Sequence, residues 1–166
     1  MIELDVKDRK LIYTLDFEAR LPLTQLAKKL GVSADNIAVG NGSDELMLLA
    51  GLAFLSAKEE VVISKNTFST YEIVTRIMDG TPVFVDLKNN TCDLDAMAGA
   101  ITSKTKLVFI CSPNNPTGTI STKKELDAFL SKIPQSVMVI IDEAYGEYVG
   151  SKDYPDSLGY FSSGDC

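Results

Sequence analysis

Two apolar runs break off into polar loops: Leu107-Val108-Phe109-Ile110-Cys111-Ser112-Pro113-Asn114-Asn115-Pro116-Thr117-Gly118 and Val137-Met138-Val139-Ile140-Ile141-Asp142-Glu143-Ala144-Tyr145. Neither run alternates with polar residues, so both read as strands covered on two faces, the pattern of a parallel sheet. Working outward, Val61-Val62-Ile63 and Pro82-Val83-Phe84-Val85 are shorter runs of the same kind, set between helical patterns. Asp93 can cap a helix whose Leu94, Met97, Ala98 and Ile101 share a face, and Thr122 with Glu125 makes a capping box ahead of Leu126, Phe129, Leu130 and Ile133. Residues 46–55 are apolar nearly all round and read as a helix buried against the sheet. Strands alternating with helices predict an α/β fold of three layers, αβα, with a mostly parallel sheet. The runs at 107–110 and 137–141 carry no charged side chain, so whichever lies at a sheet edge is a site for association.

The 166 residues suit one domain with a small appendage, and 45% apolar with 23% charged residues is a globular composition. No apolar run approaches the roughly 20 residues that span a bilayer. The chain has no histidine, which excludes imidazole-dependent triads and most zinc sites. Cys92, Cys111 and Cys166 are odd in number and lack ligand spacing, and the start Met1-Ile2-Glu3-Leu4-Asp5 is no signal peptide, so a reduced, cytoplasmic protein is expected. A net charge of -7 disfavours polyanionic partners. Residues 1–33 nevertheless hold six basic and five acidic side chains, which marks them as a different segment. Within it, Leu11, Ile12 and Leu15 form one apolar stripe, and Leu23, Leu26, Ala27 and Leu30 form another, between Pro22 and Gly31; two short helices are expected.

Four motifs carry chemistry. Gly40-Asn41-Gly42-Ser43-Asp44-Glu45 runs from a strand-like piece into a helix start, where converging N–H groups make an anion site. An ordinary capped helix with a glycine turn reads equally well from this motif alone. The loop 112–118, stiffened by two prolines, follows a strand directly and so lies at the carboxyl edge of the sheet, where open α/β sheets bind ligands. Asp142 ends a buried strand at that edge, and a buried carboxylate there calls for a cationic partner. A strand ending in Asp-Glu is also found in nucleotidases, but no G-x-x-x-x-G-K-[ST] cradle exists in the chain. Asn66-Thr67-Phe68-Ser69-Thr70-Tyr71 brings aromatic residues to the same edge, although Phe68 and Tyr71 taken alone read as core. Together, an anion cradle, an aromatic plane, an amide and a buried carboxylate suit a flat, phosphorylated, protonated heteroaromatic ring, and pyridoxal phosphate meets each demand.

These motifs, in this order over residues 35–149, resemble the fold-type I aminotransferases and among them the histidinol-phosphate aminotransferase family. The resemblance implies that Gly42, Ser43 and Asp44 lie at the phosphate of pyridoxal 5'-phosphate and that Phe68 stacks on its ring. It further implies that Asn115 and Tyr145 reach the phenolic oxygen and that Asp142 pairs with the pyridine nitrogen. Amino-acid and oxo-acid substrates, a homodimer and a place in histidine biosynthesis follow from the same resemblance. The family's Schiff-base lysine comes on a later strand, with a phosphate-binding arginine and then a small domain, and none of these is present. Lys152 follows Asp142 too closely to substitute, so residues 34–166 are expected to be an incomplete large domain that is inactive alone, with no catalytic residue of its own. Residues 3–33 are similar to the opening of the Lrp/AsnC helix-turn-helix regulators, but Ser33 leads into Ala34-Asp35-Asn36-Ile37 where a recognition helix is needed. Sequence-specific DNA binding is therefore not expected. Residues 22–33 read equally well as the helix that precedes the Asn-Ile strand in aminotransferases.

Overall fold

The computed structural model describes residues 22–163. Four strands, β1 (Glu60–Ser64), β2 (Thr81–Val85), β3 (Thr105–Cys111) and β4 (Met138–Asp142), pair in the order β2-β1-β3-β4, and every pairing is parallel. Six helices accompany them: α1 (Leu23–Leu30), α2 (Gly42–Phe54), α3 (Thr70–Ile77), α4 (Leu94–Gly99), α5 (Lys123–Leu130) and α6 (Ser157–Ser163). Parallel neighbours need crossovers, and α3, α4 and α5 supply them between successive strands.

Alternate side chains of the strands enter two separate cores. On one face, Val61, Ile63, Leu107, Phe109 and Ile140 meet Met47 and Ala50 of α2 and Tyr71 and Val74 of α3. On the other, Val62, Val108, Ile110 and Ile141 meet Leu94 and Met97 of α4 and Leu126 and Phe129 of α5. All four expected strands, the three layers and the parallel sheet are thus observed. The chain winds outward from β1 to β2, then returns to place β3 on the opposite side of β1. The sequence order therefore reverses between β1 and β3, where the following segments leave for opposite faces, the place at whose carboxyl edge open α/β sheets have their ligand crevice.

Local signals explain the helix ends. Thr122 Oγ1 accepts from Glu125 N–H while Glu125 Oε2 accepts from Thr122 N–H, the expected capping box. Asp93 Oδ1 accepts from Ala96 N–H at 3.1 Å. Gly31 ends α1 at φ 71°, a left-handed position that glycine adopts without strain. Ser33 is followed by one 3-10 turn, Ala34–Asn36, and the next helix, α2, begins at Gly42. The stripe formed by Leu11, Ile12 and Leu15 lies outside the described residues.

Three expectations are corrected. Helix α2 begins at Gly42, inside the glycine turn, rather than at Leu46. It is not buried all round: Leu49 is 42% and Leu52 60% exposed, because one sheet face covers only the side that carries Met47 and Ala50. Residues 37–40, which the sequence suggested as strand-like, join no strand, although Ile37 itself is extended. Of the two uncharged runs, 107–110 is interior to the described sheet and 137–141 provides its edge strand, β4.

The packing of α2 on α3 depends on Gly51, where a Cβ would stand 2.5 Å from Val74 Cγ1. Gly51→Ala should destabilise the chain by about 1–2 kcal/mol, since overpacking outweighs the roughly 1 kcal/mol helix preference of alanine. Urea unfolding checks this, and Val74→Ala combined with Gly51→Ala should cost less than the two changes summed.

Candidate functional site

The segment at 66–71 fastens together the other three motifs. It leaves β1 at the crevice, with Asn66 at φ 52°, and turns into α3. Thr67 Oγ1 donates to Asn114 Oδ1 at 2.7 Å, which ties it to the loop after β3. Thr70 Oγ1 donates to Asp44 Oδ1 at 2.6 Å, which ties it to the first turn of α2. Tyr71 Oη donates to Asp142 Oδ2 at 2.6 Å, which ties it to the end of β4. The motifs that the sequence placed at one edge are thus physically joined there.

Asp142 is only 4% exposed. Its Oδ1 accepts from Ala144 N–H at 3.0 Å and its Oδ2 from Tyr71. Both donors are neutral, so the cationic partner expected from the sequence is absent among the described residues. Tyr71 is wholly buried, stacked on Phe109 of β3 at 4.6 Å and 6°, with Phe68 edge-on at 5.6 Å and 85°. Burial and then the Asp142 charge push the Tyr71 phenol far above its ordinary range, so it remains a donor at every physiological pH. Burial and the same charge push the Cys111 thiol up to about 11. Aromatic packing fixes the donor and the donor fixes the carboxylate.

The remaining expected residues lie around this centre. Gly42 opens α2 at φ 73°, and a Cβ there would meet nothing within 4 Å, so the approach to the helix start is open. No described hydrogen bond engages the backbone N–H groups of Ser43 or Asp44, as an anion cradle needs. The cradle nevertheless carries carboxylates of its own, because Glu45 folds back to accept from the backbone N–H and the side-chain amide of Asn41. Phe68 and Asn115 are half-buried, and Tyr145 is 46% exposed, three residues past Asp142. No hydrogen bond ties Tyr145 to the other site residues. The sequence reading missed Thr67, Thr70 and Asn114, and it read Tyr71 as core, which it is, without its bond to Asp142. Two threonines and a tyrosine around Phe68 were the only signal, and their partners are 26 to 71 residues away.

A cavity of about 160 Å³ opens beside Glu143, lined also by Gly146, Tyr154, Pro155 and Ser157, and none of the seven expected site residues lines it. Glu143 is buried, accepts from Ser157 Oγ at 2.8 Å, and burial raises its pKa.

A parallel α/β domain with a buried carboxylate, an aromatic ring and a helix N-terminus at its switch point has the form of a ligand-binding half of an enzyme. The chain belongs to the aminotransferase class I and II family, whose model matches residues 10–160. That match takes in α1 and extends well beyond the span 35–149 that the motifs delimit. It is 46% identical over 139 residues to a histidinol-phosphate aminotransferase of Moorella thermoacetica, covering 84% of this chain and 36% of that one. Among solved structures it is similar to a histidinol-phosphate aminotransferase from Sinorhizobium meliloti in complex with pyridoxal-5'-phosphate. There the TM-score is 0.75 and the identity 28%, over 80% of this chain and 36% of that one. A putative histidinol-phosphate aminotransferase from Erwinia carotovora atroseptica gives a TM-score of 0.80 at 28% identity, over 86% and 42%. The chain therefore spans little more than a third of the length of these relatives.

Tyr71→Phe removes the hydrogen to Asp142 while keeping the ring stack, and should destabilise the chain by about 1.5–3 kcal/mol, the range for a hydrogen bond to a charged group. Urea unfolding of this variant beside Tyr71→Phe/Asp142→Asn should show a smaller loss in the double variant. Glu143 sets a pH dependence of the opposite kind from a salt-bridged acid. A carboxyl whose folded pKa is raised contributes stability below its unfolded pKa, near about 4.3, and loses it as pH rises through the folded value. Glu143→Gln should therefore raise the thermal midpoint at neutral pH and lose that advantage below the ordinary glutamate range.

Proposed function

We propose that the described residues form the cofactor-holding part of a pyridoxal-phosphate-dependent aminotransferase that moves an amino group between histidinol phosphate and 2-oxoglutarate. The observation that carries this reading is Asp142: a buried carboxylate at the switch-point edge, hydrogen-bonded only by neutral donors, so its charge is left for a cation to meet. A protonated pyridine nitrogen is such a cation. The half-buried Phe68 ring, edge-on to Tyr71, and the open, glycine-lined start of α2 fit the other parts of the cofactor. When bound, pyridoxal phosphate supplies an electron sink for the carbon that loses its proton.

The chain's own residues would then have separate tasks. Asp142 holds a proton at the ring nitrogen, and Phe68 covers one face of the ring and excludes water from it. Ser43 and Asp44 present backbone N–H groups to the phosphate, with Gly42 leaving the approach clear. Asn115 and Tyr145 serve the phenolic oxygen. Lys65, which follows β1 at the same edge, pairs with Asp86 at 2.8 Å and is not placed to bond the cofactor. With the carboxylates of Asp44 and Glu45 at the cradle, the described residues' own hold on a phosphate dianion is weak, and transamination by these 166 residues alone is not expected. The homodimer and the small-molecule substrates belong to the same proposal. Helix α1 is read as part of the aminotransferase, and sequence-specific DNA binding is not proposed.

Equilibrium dialysis of pyridoxal phosphate and inorganic phosphate against this chain tests the reading. Pyridoxal phosphate should bind weakly, at roughly millimolar strength or about -4 kcal/mol, and more tightly than inorganic phosphate. Asp142→Asn should erase that difference, and borohydride should leave no label concentrated on one lysine. Equal binding of the two ligands, unmoved by Asp142→Asn, would sink the proposal.

A further inference from the structure

The doubled asparagine in the loop after β3 divides its work, and the division points to a positioning residue. Asn114 is 2% exposed and its side chain is fully engaged. Its Oδ1 accepts from Thr67 Oγ1 at 2.7 Å, and its Nδ2 donates to Asn66 O at 3.2 Å and to Thr117 Oγ1 at 2.8 Å. Its main chain is engaged as well, with N–H donating to Thr119 O at 2.8 Å and the carbonyl accepting from Gly118 N–H at 2.7 Å. Thr117 Oγ1 lies 2.9 Å from Thr119 Oγ1, which donates to Asn90 O at 2.7 Å and so carries the network to the segment after β2. Asn115, the next residue, is half-buried and its side-chain amide enters no described hydrogen bond. One amide holds the loops together while its neighbour stays available.

The place of this clamp gives it a task. The segments after β1 and β3 part at the crevice toward opposite faces of the sheet, so the backbone itself does nothing to hold 66–68 beside 112–118. Asn66 has a left-handed φ of 52°, an uncommon conformation for a residue with a side chain, and its carbonyl is one of the acceptors of Asn114. Phe68 lies two residues beyond and Asn115 one residue beyond, on opposite sides of the clamp. We infer that Asn114 is a positioning residue that fixes the distance between the Phe68 plane and the Asn115 amide by bridging the two loops that diverge at the switch point. The inference rests on the proposed ring site, because only a ligand that touches both residues needs their separation set.

The chain contains no tryptophan, so Phe68→Trp places a single fluorescent reporter at the ring plane. In that background, Asn114→Asp keeps the acceptor for Thr67 but removes both N–H donors. It should raise acrylamide quenching of the reporter about threefold while circular dichroism stays that of the folded sheet. Without the reporter, Asn114→Asp should weaken pyridoxal phosphate roughly tenfold, the effect of lost preorganisation, and leave inorganic phosphate binding unchanged. Should Asn114→Asp fail to fold, Thr67→Val and Thr67→Ser carry the test, since valine removes the donor to Asn114 and serine restores it. Quenching should rise with valine and return with serine. Unchanged quenching in the folded aspartate variant, equal quenching in the two Thr67 variants, or parallel losses of pyridoxal phosphate and inorganic phosphate would overturn the inference. Failure of pyridoxal phosphate to bind the parent chain counts against the cofactor reading, whereas the reporter alone decides whether the clamp exists.

Discussion

Everything at the carboxyl edge depends on how a carboxylate survives burial at the end of β4. An unpaired charge out of water costs several kcal/mol, and the usual remedy is a salt bridge. Here the remedy is a phenol with a fixed direction. Tyr71, on α3, lies flat on Phe109 of β3, the strand paired with β4, and its phenol donates to Asp142 Oδ2. A neutral donor stabilises the carboxylate without cancelling its charge. A lysine in that place would have satisfied Asp142 and left nothing for a bound cation to gain.

The same economy governs the whole edge. Two of the side chains that hold the motifs together, Asn114 and Tyr71, are buried with their donors engaged, and they act with the half-buried Thr67 and Thr70. Residues proposed to meet a ligand, among them Phe68, Asn115 and Tyr145, are partly exposed. The segment 66–71 serves both purposes because α3 begins inside it: side chains on its inward face reach Asp142 and the β3 core, while Phe68, just before the helix, remains at the mouth. Placing the hub on a crossover helix means that the packing of α3 against α2 through Gly51 also sets the height of Thr70 beside Asp44.

The strands were legible because a parallel sheet covered on both faces leaves uninterrupted apolar runs, and β3 and β4 are such runs. Caps were legible because Thr122 and Asp93 act over three residues. Helix α2 was misjudged for a physical reason: hydrophobicity all round a helix reports which faces could be buried, and the described sheet covers one of them. The neutral donor to Asp142 was not legible, because a sequence shows that a buried carboxylate needs a partner without showing that a tyrosine 71 residues earlier donates to it. The seven proposed site residues rest on motif order and resemblance, whereas the threonines and the asparagine that bind the motifs to one another act across 26 to 48 residues, beyond any local pattern.

The joined motifs at the carboxyl edge raise the question of what a bound ring, as proposed above, would add. The described edge already contains a desolvated carboxylate and, at the start of α2, the N–H groups of Ser43 and Asp44 without a protein acceptor. Both are held in place by interactions that involve no ligand. The carboxylates of Asp44 and Glu45 show the limit of that arrangement. They stabilise the start of α2 through its dipole, yet they repel the dianion that the same helix start would receive. Binding at this edge therefore has to be driven from the ring end, by Asp142 and Phe68, unless a cation from outside the described residues is brought to the phosphate end.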